Sequence, residues 1–195
     1  GKAKIAEFER GELIKDHKNK KSGDPNGTLV LFQPDTEIFK KFRFRSEYVE
    51  NQLWNYAYLN AGLKLNFNGK ILVSKNGLLD LLERKTSNEN LRYPIIHMKG
   101  EDMELAISHG NHYGEQYHSF VNGQNTTQGG THLNAMRSAI TETIQEFFNK
   151  NYDRKDILSS IIAAISIRIE EPVFESQTKT KLGSTDMGPK GPTVR

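Results

Sequence analysis

The stretch "SSIIAAISIRI" (159–169) constrains the chain more than any other segment. It is rich in β-branched residues and apolar on both sides of the alternation, which fits a strand at the centre of a sheet with both faces covered. Such a strand needs neighbours, and the sequence supplies them. "PIIHMKG" and "MELAISH" read as two antiparallel strands around Gly100-Glu101-Asp102, and "YHSFVNG" as a further strand. "LKLNFNGKILV" reads as a hairpin, because Asn68-Gly69 is the pair that a type I′ turn favours. Helical spacing of Tyr48, Val49, Leu53, Tyr56 and Leu59 behind Ser46 predicts one long helix, with Gly62 past its end. "NGLLDLLERK" predicts a short helix. A second long one begins near Thr131, expected as its cap, with Ala135, Met136, Ala139, Ile140, Thr143, Ile144, Phe147 and Phe148 on one face. The expected class is α+β, a mixed sheet with two long helices and one short one.

At 195 residues the chain suits one domain, or one domain and a piece of another. A formal charge of +3 permits a nucleic-acid partner without requiring one. There is no cysteine, hence no disulfide and no Cys-based zinc site, which fits the cytosol. No apolar run reaches the length of a membrane span, so no membrane partner is expected. The opening "GKAKIAEFERGELIKDH" reads at once as strand and turn, as in a piece of a longer protein. With the apolar strand "TLVLF", which stops before Pro34, residues 1–35 suggest a small β-meander.

Few residues carry chemistry. The loop "NGQNTTQGGT" (122–131) invites a phosphate-loop reading but lacks its spacing and its lysine. A strand-to-helix turn that needs glycine explains it, although a helix N-terminus can still hold an anion. His109, His112 and His118 have no common face and no acidic partner at ligand spacing, so no metal site is expected. No Ser/His/Asp order or carboxylate pair suggests a catalyst. "EPVFESQTKTKLG" (171–183) differs, because a buried strand leads straight into a loop with Gln177, Lys179 and Lys181. Solvated lysines are the plain explanation. The functional one makes Lys179 a point charge for a phosphate, with the Gln177 amide beside it and Pro172, Val173 and Phe174 stiffening the approach.

Three stretches, "GTLVLFQPD" (27–35), "SFVNGQNTTQGGTHLNAMR" (119–137) and "ISIRIEEPVFESQTKTKLGS" (165–184), resemble the B subunits of bacterial type IIA topoisomerases, gyrase and topoisomerase IV. "TTQGGTHLNAMR" is more similar to the topoisomerase IV form. The resemblance implies that residues 1–35 are the last strands of a GHKL-type ATPase domain. It makes 36–182 a transducer domain like domain 2 of ribosomal protein S5, a two-layer mixed sheet with helices and a left-handed βαβ crossover. Residues 183–195 would be the flexible start of a connection to a TOPRIM domain.

By the same resemblance, Gln177 and Lys179 contact the γ-phosphate of ATP bound by the ATPase domain, and Arg137 faces the cavity that accepts transported DNA. ATP and Mg²⁺ are then cofactors of the full-length enzyme, with none expected on this piece and no catalytic residue within it. The implied partners are double-stranded DNA, the A subunit of topoisomerase IV or gyrase, and a second copy of the B subunit when ATP binds. The implied location is the bacterial cytoplasm, at the nucleoid. The alternative is a non-catalytic RNA- or protein-binding module on the same S5-like fold, which fold alone does not separate. The related domains of mismatch-repair and chaperone ATPases fit "QGGTH" and "ESQTK" less well.

Overall fold

The computed structural model describes residues 1–188 and residue 193; part of the stretch 183–195, expected to be a flexible connection, thus lies outside the described residues. The chain divides into two compact units, Gly1–Arg45 and Ser46–Arg195.

The first unit holds four short strands, β1 (Lys2–Ala3), β2 (Ala6–Glu9), β3 (Glu12–Asp16) and β4 (Lys20–Lys21). They pair antiparallel as β1–β4 and β2–β3. "TLVLF", expected as a strand, forms none: it has no partner strand in the unit, and Leu29 and Leu31 stand more than nine-tenths exposed. Phe32, Phe39, Phe42 and Phe44 make edge-to-face contacts among themselves instead. No described residue of this unit is buried, so its apolar side chains have no core of their own.

The second unit is built on a five-stranded sheet. Its elements in order are α1 (Ser46–Leu59), β5 (Leu65–Phe67), β6 (Lys70–Leu72), α2 (Leu78–Lys85), β7 (Ile96–Lys99), β8 (Met103–His109), β9 (Gln116–Val121), β10 (Gln124–Asn125), α3 (Thr131–Phe148), α4 (Arg154–Leu158) and β11 (Ile161–Ile167). The strand order is β10-β9-β11-β8-β7, with β5 and β6 a separate hairpin turned at Asn68-Gly69, both at positive φ. β11 lies in the centre, parallel to β9 and antiparallel to β8. β9, α3, α4 and β11 thus form a βαβ unit whose strands are direct neighbours.

Both faces of β11 are covered. Ile162 and Ala164, with Ala106 and Phe120, pack under α1 and α2 through Tyr58, Leu78, Leu81 and Leu82. Ile161, Ala163, Ile165 and Ile167, with Leu105, Ile107 and Val121, pack under α3 and α4 through Met136 and Leu158. The expected α+β mixed sheet with helices is therefore found; where two layers were expected, α3 and α4 add a third. The short α4, capped by Asp153 accepting from the Lys155 amide at 2.7 Å, was not foreseen.

The α3 face differs from expectation. Its buried residues are His132, Met136 and Thr141, while Phe147 is 82% exposed and Phe148 56%. The last turn leaves these two rings largely in solvent, where Phe147 stacks edge-on against Phe148 and Phe148 against Tyr152. No helix among the described residues is long and apolar enough to cross a membrane.

Leu82 is fully buried between α2 and the sheet. Leu82→Ala should cost about 2–5 kcal/mol of unfolding free energy by urea denaturation, because the cavity cannot close against paired strands. A loss below about 1 kcal/mol would contradict that packing.

Candidate functional site

Past β11 the chain reaches Ile169, whose amide and carbonyl are both bound by the Asn122 side chain, at 2.8 and 2.7 Å. Asn122-Gly123 is the β9–β10 turn, again with both residues at positive φ. It is the same Asn-Gly signal as at 68–69, and reading 122–131 as one loop overlooked it.

The chain then forms a narrow hairpin, 173–184. Glu175 N donates to Lys181 O at 3.0 Å, Gly183 N to Val173 O at 2.8 Å, and Val173 N to the Ser184 hydroxyl at 2.6 Å. Lys181, which has no evident role in the sequence, pairs with Glu175 at 2.9 Å and closes the base of the loop. Val173, expected to stiffen the approach, is 66% exposed and holds the hairpin through its backbone rather than its side chain. Phe174 packs against the core, and Leu182 is 1% exposed within it.

At the tip, Lys179 N donates to Ser176 O at 3.0 Å, and the Ser176 and Thr178 hydroxyls share a bond at 2.9 Å. Lys179 stands at φ 56°, in the left-handed region that non-glycine residues seldom adopt. Gln177 and Lys179 are both exposed. Among the described residues neither side chain has a hydrogen-bond or ion-pair partner, in contrast to Lys181. The hairpin thus presents one neutral amide and one uncompensated cation at a stiffened tip.

The Gly-rich loop is sewn to the returning arm of this hairpin. Gln128 N donates to Thr180 O at 2.9 Å, Leu182 N to Gly129 O at 3.0 Å, and Thr131 N to Leu182 O at 3.1 Å. Thr131 is the first residue of α3 rather than its cap. The position before it is Gly130, with no side-chain cap, and the Thr131 hydroxyl donates across to Ser184 O. Gly130 sits at φ 136°, and a Cβ there would stand 2.4 Å from Leu182 O. Its role is close approach of two backbones as much as turning.

Beneath the loop lies a polar core. The Ser119 hydroxyl donates to Thr126 O at 2.8 Å, and His132 Nε2 lies 3.3 Å from the Thr126 hydroxyl. Burial pushes the His132 imidazole down to about 4. His118, on the other face of β9, is also pushed down to about 4, by burial and then by Lys85.

Arg137 is no free surface cation. Its Nη2 donates to Glu115 at 2.8–2.9 Å, its guanidinium lies 5.6 Å from the Tyr117 ring centre, and the Tyr117 hydroxyl donates to Glu115 at 2.6 Å. Burial works against the arginine's charge, and the Glu115 hydrogen bond and charge outweigh it, so its pKa is raised. Arg137 and Lys179 are not brought into contact.

The three histidines do not converge. His109 meets Tyr93 and Ile157 O, and His112 meets Glu89 and Ile161 O. Among the described residues no three or more His, Asp or Glu group into a metal site.

Comparison with known proteins agrees with this architecture. The family model described as DNA gyrase B matches residues 77–192. The B subunit of DNA topoisomerase 4 from Borreliella burgdorferi is 42% identical over 95% of this chain and 31% of its own length. The B subunit of DNA gyrase from Eisenibacter elegans is 33% identical over 84% of this chain and 40% of its own length. The crystal structure of the 43K ATPase domain of Thermus thermophilus gyrase B, in complex with an aminocoumarin, superposes with a TM-score of 0.70 at 27% identity, covering 94% of this chain and 56% of that one. These relatives are B subunits of type II DNA topoisomerases. The chain belongs to the DNA gyrase B family. It spans about a third of the length of the curated relatives, 31% and 40% in the two named here.

Gly130→Ala should lose at least about 1–3 kcal/mol of stability, since neither φ nor the Leu182 backbone can yield cheaply. Amide exchange at Thr131 and Leu182 should rise with it, and unchanged protection there would refute the seam. The buried histidines set a pH dependence. Neutral in the fold but ordinary in the unfolded chain, they give the unfolded state more protons between about pH 6.5 and 4. Stability is complete above that window and falls through it with acid, by up to about 3 kcal/mol for His132. Urea midpoints from pH 7 to 4 test this, and His132→Gln should flatten the slope.

Proposed function

We propose that this chain is the transducer region of the B subunit of an ATP-dependent type II DNA topoisomerase, relaying nucleotide state to the gate that passes one DNA duplex through another. One observation carries the reading: among the described residues Lys179 stands exposed and without a paired anion, at the tip of a hairpin that is fixed at its base. A lysine so held is available to an anion from elsewhere. A terminal phosphate fits it, and the Gln177 amide adds a neutral donor. On this reading, ATP held with Mg²⁺ by an ATPase domain supplies that phosphate, and residues 1–35 are the last strands of that domain. Residues 36–182 form the transducer, with the crossover from β9 to β11 left-handed as the resemblance implies. A contact made to ATP but not to ADP biases a rigid-body movement between domains.

The rest of the reading concerns the whole enzyme. It works on double-stranded DNA at the bacterial nucleoid, together with the A subunit of topoisomerase IV or gyrase and a second copy of its own chain. The topoisomerase IV form is favoured by "TTQGGTHLNAMR" and by the 42% identity to the Borreliella burgdorferi protein. Arg137 contributes to the DNA cavity as a positioned cation. Glu115 offsets much of its charge, so its contact with DNA is weak, salt-dependent and indifferent to sequence. Membership of the DNA gyrase B family leaves the stand-alone binding module without support.

In the full-length protein, Lys179→Ala should lower ATP turnover about 10- to 100-fold, the worth of one charge-assisted hydrogen bond. DNA strand passage should fall with it, and the melting temperature should hardly move, because the Lys179 side chain is exposed and has no hydrogen-bond or ion-pair partner among the described residues. A large drop in melting temperature with turnover preserved would make Lys179 a structural residue. The purified chain alone should turn over no ATP. Turnover by it that Lys179→Ala abolished would overturn the assignment of catalysis to another domain.

A further inference from the structure

We propose that Thr131 is a positioning residue for Lys179: through its hydroxyl on the Ser184 carbonyl it locks the start of α3 to the hairpin, and this seam sets where the lysine stands. The proposal rests on the γ-phosphate reading above.

The hairpin tip does not position itself. Among the described residues, every hydrogen bond within 176–179 joins the tip to itself, from Lys179 N to Ser176 O and between the Ser176 and Thr178 hydroxyls. Its place is therefore inherited from its two arms. The returning arm is the better anchored, and its hydrogen bonds to the rest of the described chain come from the segment 128–131. Gln128 N holds Thr180 O, one residue after Lys179, and Gly129 and Thr131 hold both backbone groups of Leu182. Gly130 permits this approach by having no side chain.

Thr131 is the residue that ties α3 to both arms. An 18-residue helix would ordinarily use a threonine at its start as a cap, yet the position before α3 has no side-chain cap. The Thr131 hydroxyl is turned out of the helix onto the Ser184 carbonyl. Ser184 in turn accepts the Val173 amide of the outgoing arm on its own hydroxyl, at 2.6 Å. One run of bonds, Thr131 to Ser184 to Val173, so links the helix to both sides of the hairpin. Tilting α3 must carry the tip with it. A valine at 131 has the same shape without the donor, so it removes the bond to Ser184 and leaves the backbone bonds of 128–131 and the core in place.

The test is a double-mutant cycle in the full-length protein, joined with its partner A chain as the holoenzyme and read as ATP turnover. Thr131→Val should lower turnover about 3- to 10-fold, within the range of coupled neighbouring residues. In a Lys179→Ala background it should lower turnover no further, because a hairpin without its lysine has nothing to position. Thr131→Ser, which keeps the hydroxyl, should restore turnover. Ser184→Ala, which cuts the next bond in the run, should show the same dependence on Lys179 and replaces Thr131→Val if that variant fails to fold. The inference is overturned if Thr131→Val costs as much with alanine at 179 as with lysine, or if it costs nothing while Lys179→Ala is impaired. If Lys179→Ala itself leaves turnover unchanged, the proposed function fails and this inference with it.

Discussion

Strand β11 takes hydrogen bonds on both edges, parallel to β9 along one and antiparallel to β8 along the other. Everything else in the second unit is arranged around that double pairing. The strand is also apolar on both faces, so its isoleucines and alanines need cover above and below, and the helices divide between the two sides accordingly. The parallel pairing requires a long crossover, which α3 and α4 provide. The crossover brings the start of α3 beside the exit from β11. The Gly-rich loop and the basic hairpin, joined by hydrogen bonds between residues 51 to 53 positions apart in sequence, are therefore neighbours.

That neighbourhood explains why two lysines two positions apart behave differently. Lys181 lies on the returning arm, opposite Glu175, and its charge is satisfied locally. Lys179 lies at the tip, where the chain reverses through a left-handed residue, and among the described residues no acid pairs with it. The hairpin thus separates a paired cation from an exposed one. Arg137 shows the converse arrangement. Six residues along α3 from Thr131, or about 9 Å by helical rise, it is offset by Glu115 and flanked by Tyr117. One helix thus carries a positioned arginine on its side and the clamp of the hairpin at its end.

Much of this was legible from local pattern. The Asn68-Gly69 hairpin, the helix from Ser46, the β7–β8 pair and the central position of 161–167 all follow from short-range periodicity and turn chemistry, which act over a few residues. What was missed depended on partners distant in sequence. "TLVLF" has the composition of a strand but no strand beside it in its unit. Thr131 has the position of a cap but a better acceptor in Ser184. Phe147 and Phe148 keep the helical spacing of a core face, yet the fold leaves them largely in solvent. Asn122-Gly123 carried the same local signal as Asn68-Gly69, and the glycines after it drew the whole stretch into one loop.

By itself the sequence determined the class of fold, the central strand, most of the elements around it and the loop that holds Gln177 and Lys179, because alternation, helical period and turn residues are local properties. Only the tertiary structure decided which lysine is free and which is paired, why Gly130 has no side chain, and that α3 holds the hairpin. The seam is set by backbones meeting across roughly 50 residues of chain, and the lysine pairing by the fold of the hairpin itself; no pattern in either segment alone specifies these contacts.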